Sequence, residues 1–137
     1  MKRIHIVAGI IFNQDKSQVF ITKRPDDKHK GGFWEFPGGK REANETIEQA
    51  LSRELREEIG IEITKHSEFM VIEHNYGDKK VCLDVRLVEA FEGEAHHQEG
   101  QISQWVDIHK LSQFTFPDAN KAIISKLEDL YRLHSFG

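Results

Sequence analysis

Gly39 to Ile61 reads GKREANETIEQALSRELREEIGI, and the reading of the whole chain starts from this stretch. Thr46-Ile47-Glu48-Gln49 is a capping-box sequence, in which a threonine hydroxyl takes a first-turn amide and Gln49 reaches back to the cap. Gly60 supplies the left-handed stop after the last turn. A helix is therefore predicted over Thr46 to Ile59. With Glu54 set at zero on a helical wheel, Ile47, Leu51, Leu55 and Ile59 fall at about 20°, 60°, 100° and 140°, with Ala50 near −40°. Arg56, Gln49 and Arg53 form the polar face at about 200° to 260°. Glu54 and Glu58 fall at about 0° and 40°, inside the apolar sector, and Glu57 sits at its margin near about −60°.

Carboxylates directed into packed surface are costly unless something compensates their charge. Two readings follow. A hard divalent cation, Mg²⁺ or Mn²⁺, takes oxygen ligands and would compensate three convergent carboxylates. Alternatively, this is an ordinary acidic helix paired with Arg53 and Arg56. The preceding Pro37-Gly38-Gly39-Lys40 reads as a tight, side-chain-poor turn, where backbone can approach an ion or a phosphate closely. A carboxylate helix beside such a loop suits a phosphate-plus-metal site.

Outward from the helix the pattern changes to strands. Ile4 to Phe12 is apolar and β-branched, and reads as a central strand. Asn13 to Ser17 is a turn cluster, Gln18 to Lys23 a returning strand, and Arg24 to Gly32 a loop that leads into Phe33 to Phe36. Val81, Leu83, Val85 and Leu87 alternate with mostly polar neighbours; Glu68 to Asn75 is expected to pair with them through a turn at Gly77-Asp78. Ile102 to Ile108 is a further short strand. Pro117 opens a second helix at its first turn, with Ala119, Ile123, Leu127, Leu130 and Tyr131 as its buried stripe. Strands before, between and after the helices imply an α/β fold, a mixed sheet covered by helices on both sides.

The 137 residues, without repeat or linker, suit one domain spanning 1–137. Nineteen Lys plus Arg against 23 Asp plus Glu give a net charge of −4, which argues against wrapping duplex DNA or coating an anionic membrane. The apolar run Ile6 to Phe12 is far short of a membrane span, and after Met1-Lys2-Arg3 no secretory signal is expected. Cys82 is the single cysteine; it forbids an intramolecular disulfide and suits a reducing compartment. A cytoplasmic protein is expected. Cys82 reads as a packed side chain, and His96 and His97 as solvated loop residues. Phe114 and Phe116 read as core, with base stacking the alternative, and Trp34 and Trp105 are assigned to neither.

Gly39 to Ile61 matches the 23-residue box of the Nudix hydrolase family at every defining position: Gly39, Glu45, Arg53-Glu54, apolar Leu55, Glu57-Glu58, Gly60 and apolar Ile61. The likeness covers most of the chain. FITKRPDDKHKGGFWEFPGGK (Phe20 to Lys40), EGEAHHQEGQ (Glu92 to Gln101) and FPDAN (Phe116 to Asn120) resemble the bacterial MutT branch of that family. The resemblance implies an α/β/α sandwich and Mg²⁺-dependent hydrolysis of 8-oxo-dGTP to monophosphate and pyrophosphate, with Mn²⁺ as a substitute ion. It makes Glu54, Glu57, Glu58 and Glu99 the carboxylates at the metal, with the Gly38 carbonyl on the same ion. Arg24, His29, Glu35, Phe36, Pro37, Gly38 and Asn120 would contact the nucleotide. Arg53 would orient the carboxylates, and Glu45 would position the loop.

The general base is expected to be Glu54 first and Glu99 second. Asn120 can accept from the ring N–H that oxidation creates while donating to the neighbouring carbonyl. The Lys28 to Trp34 loop, with Gly31-Gly32 and an added aromatic, departs from the relatives and bears on the fit of the nucleotide pocket. The expected partner is a free nucleotide, with no stable nucleic-acid complex, no membrane, and a monomeric enzyme. The alternatives are hydrolysis of pyrimidine triphosphates or ADP-ribose, and a Nudix-fold sensor that binds a nucleotide without turnover.

Overall fold

The computed structural model describes residues 2–24, 32–98 and 102–136, and side chains within 3–130 of those ranges. Among the described residues, seven strands and two α-helices follow one another: β1 (Lys2–Ile11), β2 (Gln18–Lys23), β3 (Trp34–Glu35), β4 (Gly38–Lys40), α1 (Ile47–Ile59), β5 (Glu62–Asn75), β6 (Lys79–Glu92), β7 (Ser103–Asp107) and α2 (Lys121–Phe136). β1 runs parallel to β6 and antiparallel to β4, and β6 is antiparallel to β5. This is the mixed sheet, ordered β4-β1-β6-β5. A smaller antiparallel sheet, β3-β2-β7, stands beside it.

Strand periodicity makes the layers. Successive side chains point to opposite faces. Val7 and Ile11 of β1 therefore join Ala50, Leu51, Leu55 and Ile59 of α1, with Val88 of β6. Ala8 and Ile10, on the other face, join Ile123, Ile124 and Leu127 of α2, with Phe36 and Phe116. β2 repeats the division: Phe20 packs on the α1 side, Val19 and Ile21 on the α2 side. The result is an α/β/α sandwich in which the acidic helix and α2 cover opposite faces.

α1 begins as its sequence prescribes. Thr46 accepts from the Gln49 amide, the Gln49 side chain accepts from the Thr46 amide, and Gly60 closes the helix at φ 72°. Four sequence expectations are corrected. The segment Gly38–Lys40 is a strand rather than a turn, because the β1 edge supplies partners for it, Ala8 opposite Gly38 and Ile6 opposite Lys40. Pro117 precedes a separate 3-10 turn, Asp118–Asn120, and α2 starts only at Lys121, so the half-buried Ala119 lies outside the helical stripe. The last short strand ends at Asp107, and Ile108 to Gln113 form a 3-10 helix. β5 and β6 each run 14 residues, well beyond the expected pair, with register shifts near Lys65 and Phe69.

Leu55 is fully buried in the core beneath α1. Leu55→Ala is expected to lower unfolding free energy by about 2–5 kcal/mol, the usual cost of such a cavity, as a shift of the urea midpoint at unchanged slope.

Candidate functional site

The site is built where α1 crosses β4. Glu54 and Glu58 project from its buried side and are half-buried, whereas Glu57, at the margin, is 63% exposed. The half-burial of Glu54 and Glu58 and the exposure of Glu57 agree with their positions on the wheel. Glu54 lies against the backbone of Gly39: a Cβ there would sit 2.5 Å from the Glu54 carboxyl carbon. A Cβ on Gly38 would meet Ala8 Cα at 2.8 Å. Gly38 is thus required by its close approach to the β1 backbone, whereas a side chain at Gly39 would displace the Glu54 carboxylate.

Arg53 holds the acidic groups in place. Its Nε and Nη2 donate to the two Glu45 oxygens at 2.6 and 2.9 Å. Nη1 donates to Glu54 at 3.0 Å and to Glu57 at 3.3 Å, and Nη2 also reaches the Lys40 carbonyl at 3.1 Å. Glu58 is bound differently, its Oε2 accepting from the Gly38 amide at 3.0 Å. Its main-chain carbonyl accepts from the Gln98 amide at 2.9 Å, and that of Ile59 from the His96 amide at 3.2 Å. The segment before Glu99 is thus tied to the helix end.

The electrostatics divide the carboxylates. The Arg53 hydrogen bonds, helped by the Glu42 amide, pull Glu45 down to about 2. Burial raises Glu54 above the ordinary carboxylate range, and Arg53 offsets only part of that rise. Burial also raises Glu35, with Arg24 acting in the opposite direction.

The nucleotide candidates fall on neighbouring segments. Arg24 Nη1 donates to Glu35 at 3.3 Å. Phe36 is buried and stacks on Phe116. Pro37 accepts the Gly9 amide at 2.9 Å, continuing the β4–β1 edge. Asn120 ends the 3-10 turn, half-buried. His29 and Glu99 lie outside the described residues. Sequence reasoning missed two groups: the Lys40 carbonyl that receives Arg53, and the Gly38 amide, which meets Glu58 where its carbonyl was expected to matter. The paired glycines were the available signal.

Among the described residues, no three acidic, imidazole or thiol groups stand close enough to share one cation. Arg53 and the Gly38 amide hold the glutamates instead. The donor set nonetheless fits a hard divalent ion: it is carboxylate oxygen, and Glu54 carries a desolvated charge that Arg53 compensates only in part.

An α/β/α sandwich with an Arg-braced glutamate helix against a glycine strand is the architecture of a Nudix hydrolase. A model of the NUDIX domain matches residues 7–126, and the chain belongs to that family. The 8-oxo-dGTP diphosphatase of Escherichia coli strain K12 is 43% identical, over 95% of this chain and all of its own length. The CTP pyrophosphohydrolase of the same organism is 34% identical over 88% of this chain and 87% of that one. A solved structure from work on MutT of Aliivibrio salmonicida and Vibrio cholerae has a TM-score of 0.84 at 52% identity, covering 92% of this chain and 97% of that chain.

A carboxylate whose pKa is raised by folding favours the folded state only while protonated, and that contribution is lost as pH rises through the raised value. Glu54→Gln is therefore expected to raise the Tm of the chelator-treated protein at neutral pH. The gain should vanish as pH falls below the ordinary carboxylate range, in paired calorimetric scans of both proteins.

Proposed function

We propose that this chain is an 8-oxo-dGTP diphosphatase, releasing the monophosphate and pyrophosphate and so keeping an oxidised, miscoding nucleotide out of DNA replication. The observation that carries the reading is the carboxylate helix locked to the glycine strand, Glu58 on the Gly38 amide and Glu54 on Gly39. The full-length likeness to diphosphatases of that name supports the substrate.

Glu54, Glu57, Glu58 and Glu99, with the Gly38 carbonyl, would hold Mg²⁺, for which Mn²⁺ would substitute. A divalent ion bound there supplies neutralisation of the polyphosphate charge. Arg53 keeps Glu54 and Glu57 in their rotamers. Glu54 accepts the proton of the attacking water, a role for which Glu99 is the alternative. Arg24, His29 and the Glu35-Phe36-Pro37-Gly38 segment contact the nucleotide, and the Asn120 amide accepts from the N–H that marks the oxidised base. Unmodified guanine would set an acceptor against an acceptor, a buried mismatch costing about 1–3 kcal/mol. The reading extends to a single domain working as a cytoplasmic monomer on free nucleotides. Among the described residues no helix is long and apolar enough to cross a membrane.

Chromatographic product analysis across a nucleotide panel with Mg²⁺ tests the substrate. Hydrolysis of 8-oxo-dGTP far above dGTP is expected. A preference for CTP or dCTP would move the chain to the pyrimidine branch represented by the CTP relative, and binding without products would make it a sensor.

Glu58→Gln removes a ligand charge at nearly constant shape. Turnover is expected to fall by several orders of magnitude, and Mn²⁺ affinity, followed by electron paramagnetic resonance, to fall with it. A folded variant retaining both would remove Glu58 from the metal.

A further inference from the structure

β3 and the segment that carries Asn120 are docked side by side. The Trp34 amide donates to the Thr115 carbonyl at 2.8 Å. Trp34 meets Phe114 edge to face, with ring centroids 5.3 Å apart at 83°. Two residues further along both segments, Phe36 stacks on Phe116 at 5.2 Å and 24°. Side chains two apart on extended chain share a face, so the contacts form a two-rung aromatic ladder on the α2 side. Both inner rings, Phe36 and Phe116, are 5% exposed; Trp34 and Phe114 are partly buried and pack against the same core.

The ladder ends at two places that matter to the reading above. One rail runs from Phe36 into Pro37 and Gly38. The other runs from Phe116 into Pro117 and the 3-10 turn, where the Asn120 amide donates to the Pro117 carbonyl at 2.9 Å. A main-chain bond fixes a point but not a direction. Rings on either side of Thr115 fix the direction as well. Hydrogen bonds to a base weaken steeply with misalignment, so the direction of this rail governs how well Asn120 separates one base from another.

We infer that Trp34 and Phe114 are positioning residues for base discrimination, holding the Phe116 to Asn120 rail in register with Phe36 to Gly38. The inference rests on the proposed role of Asn120. It gives Trp34 a function beyond its packing against the core. In this role Trp34 and Phe114 act through Asn120 and not as ligands of the base themselves.

The experiment is calorimetric titration of 8-oxo-dGMP and of dGMP into wild type, Trp34→Leu, Trp34→Phe, Phe114→Leu, Asn120→Ala, and Asn120→Ala combined with Trp34→Leu. Mn²⁺ affinity is measured on each. Trp34→Leu and Phe114→Leu are expected to lose about five- to tenfold of the preference for 8-oxo-dGMP at unchanged Mn²⁺ affinity. Trp34→Phe, which can keep an edge-to-face contact, retains the preference. The double variant discriminates no worse than Asn120→Ala alone, because both changes act on one group. A folded Trp34→Leu with wild-type preference would overturn the inference, as would a further loss in the double variant. Should Trp34→Leu not fold, Phe114→Leu decides by the same criterion. A wild type with no preference for 8-oxo-dGMP would instead overturn the substrate reading, and this inference with it.

Discussion

A guanidinium has five N–H donors in a fixed plane, and Arg53 uses all five. Two go to Glu45, one each to Glu54 and Glu57, and one to the Lys40 carbonyl. The partners come from α1, from the loop before it and from the end of β4, so one side chain joins the helix to the glycine strand. Lysine, a point charge without the planar fork, could not reproduce that set. With Arg53 in place the helix cannot turn without breaking several charge-assisted bonds, and the orientation of Glu54 and Glu58 toward β4 depends on that.

The same arginine acts on two carboxylates with opposite outcomes. Glu45 receives two of its bonds and is held well below the usual range. Its contribution to stability is present above the ordinary carboxylate pKa and is lost as pH falls toward about 2. Glu54 receives one bond and is desolvated against Gly39, and its pKa rises. The protein thus assigns its strongest pairing to the glutamate that fixes the loop. The glutamate facing the strand keeps an incompletely compensated charge, which is the condition a cation site requires.

Legibility in the sequence follows the range of the interactions. α1 was readable to its caps because capping, amphipathic period and the glycine stop are all encoded within about fifteen residues. The burial of Glu54 and Glu58 and the exposure of Glu57 follow from the wheel for the same reason. The strand at Gly38–Lys40 is not legible locally, because two glycines and a lysine carry no strand period; the edge of β1 makes it a strand. The full length of β5 and β6 is fixed by pairing across bulges, which no local pattern announces. Pro117 is compatible with a helix start, but the stacking of Phe116 on Phe36 belongs to tertiary contact and precedes a turn, not a helix.

β1 sits between two chemistries because its side chains alternate. Val7 and Ile11 support the helix that carries the acidic groups, while Ala8 and Ile10 belong to the core that carries Phe36, Phe116 and α2. Between them runs β4, where Gly38 meets Ala8 across the strands and donates its amide to Glu58. From Phe36 to Gly38 the chain therefore passes from the aromatic face to the acidic face within three residues. A nucleotide presents the same order of features, base at one end and phosphates at the other. The proposed base reader and the proposed metal ligands rest on separate packed layers joined by this short strand. Changes in the aromatic layer can then alter which base is accepted while the carboxylate geometry stays as Arg53 sets it.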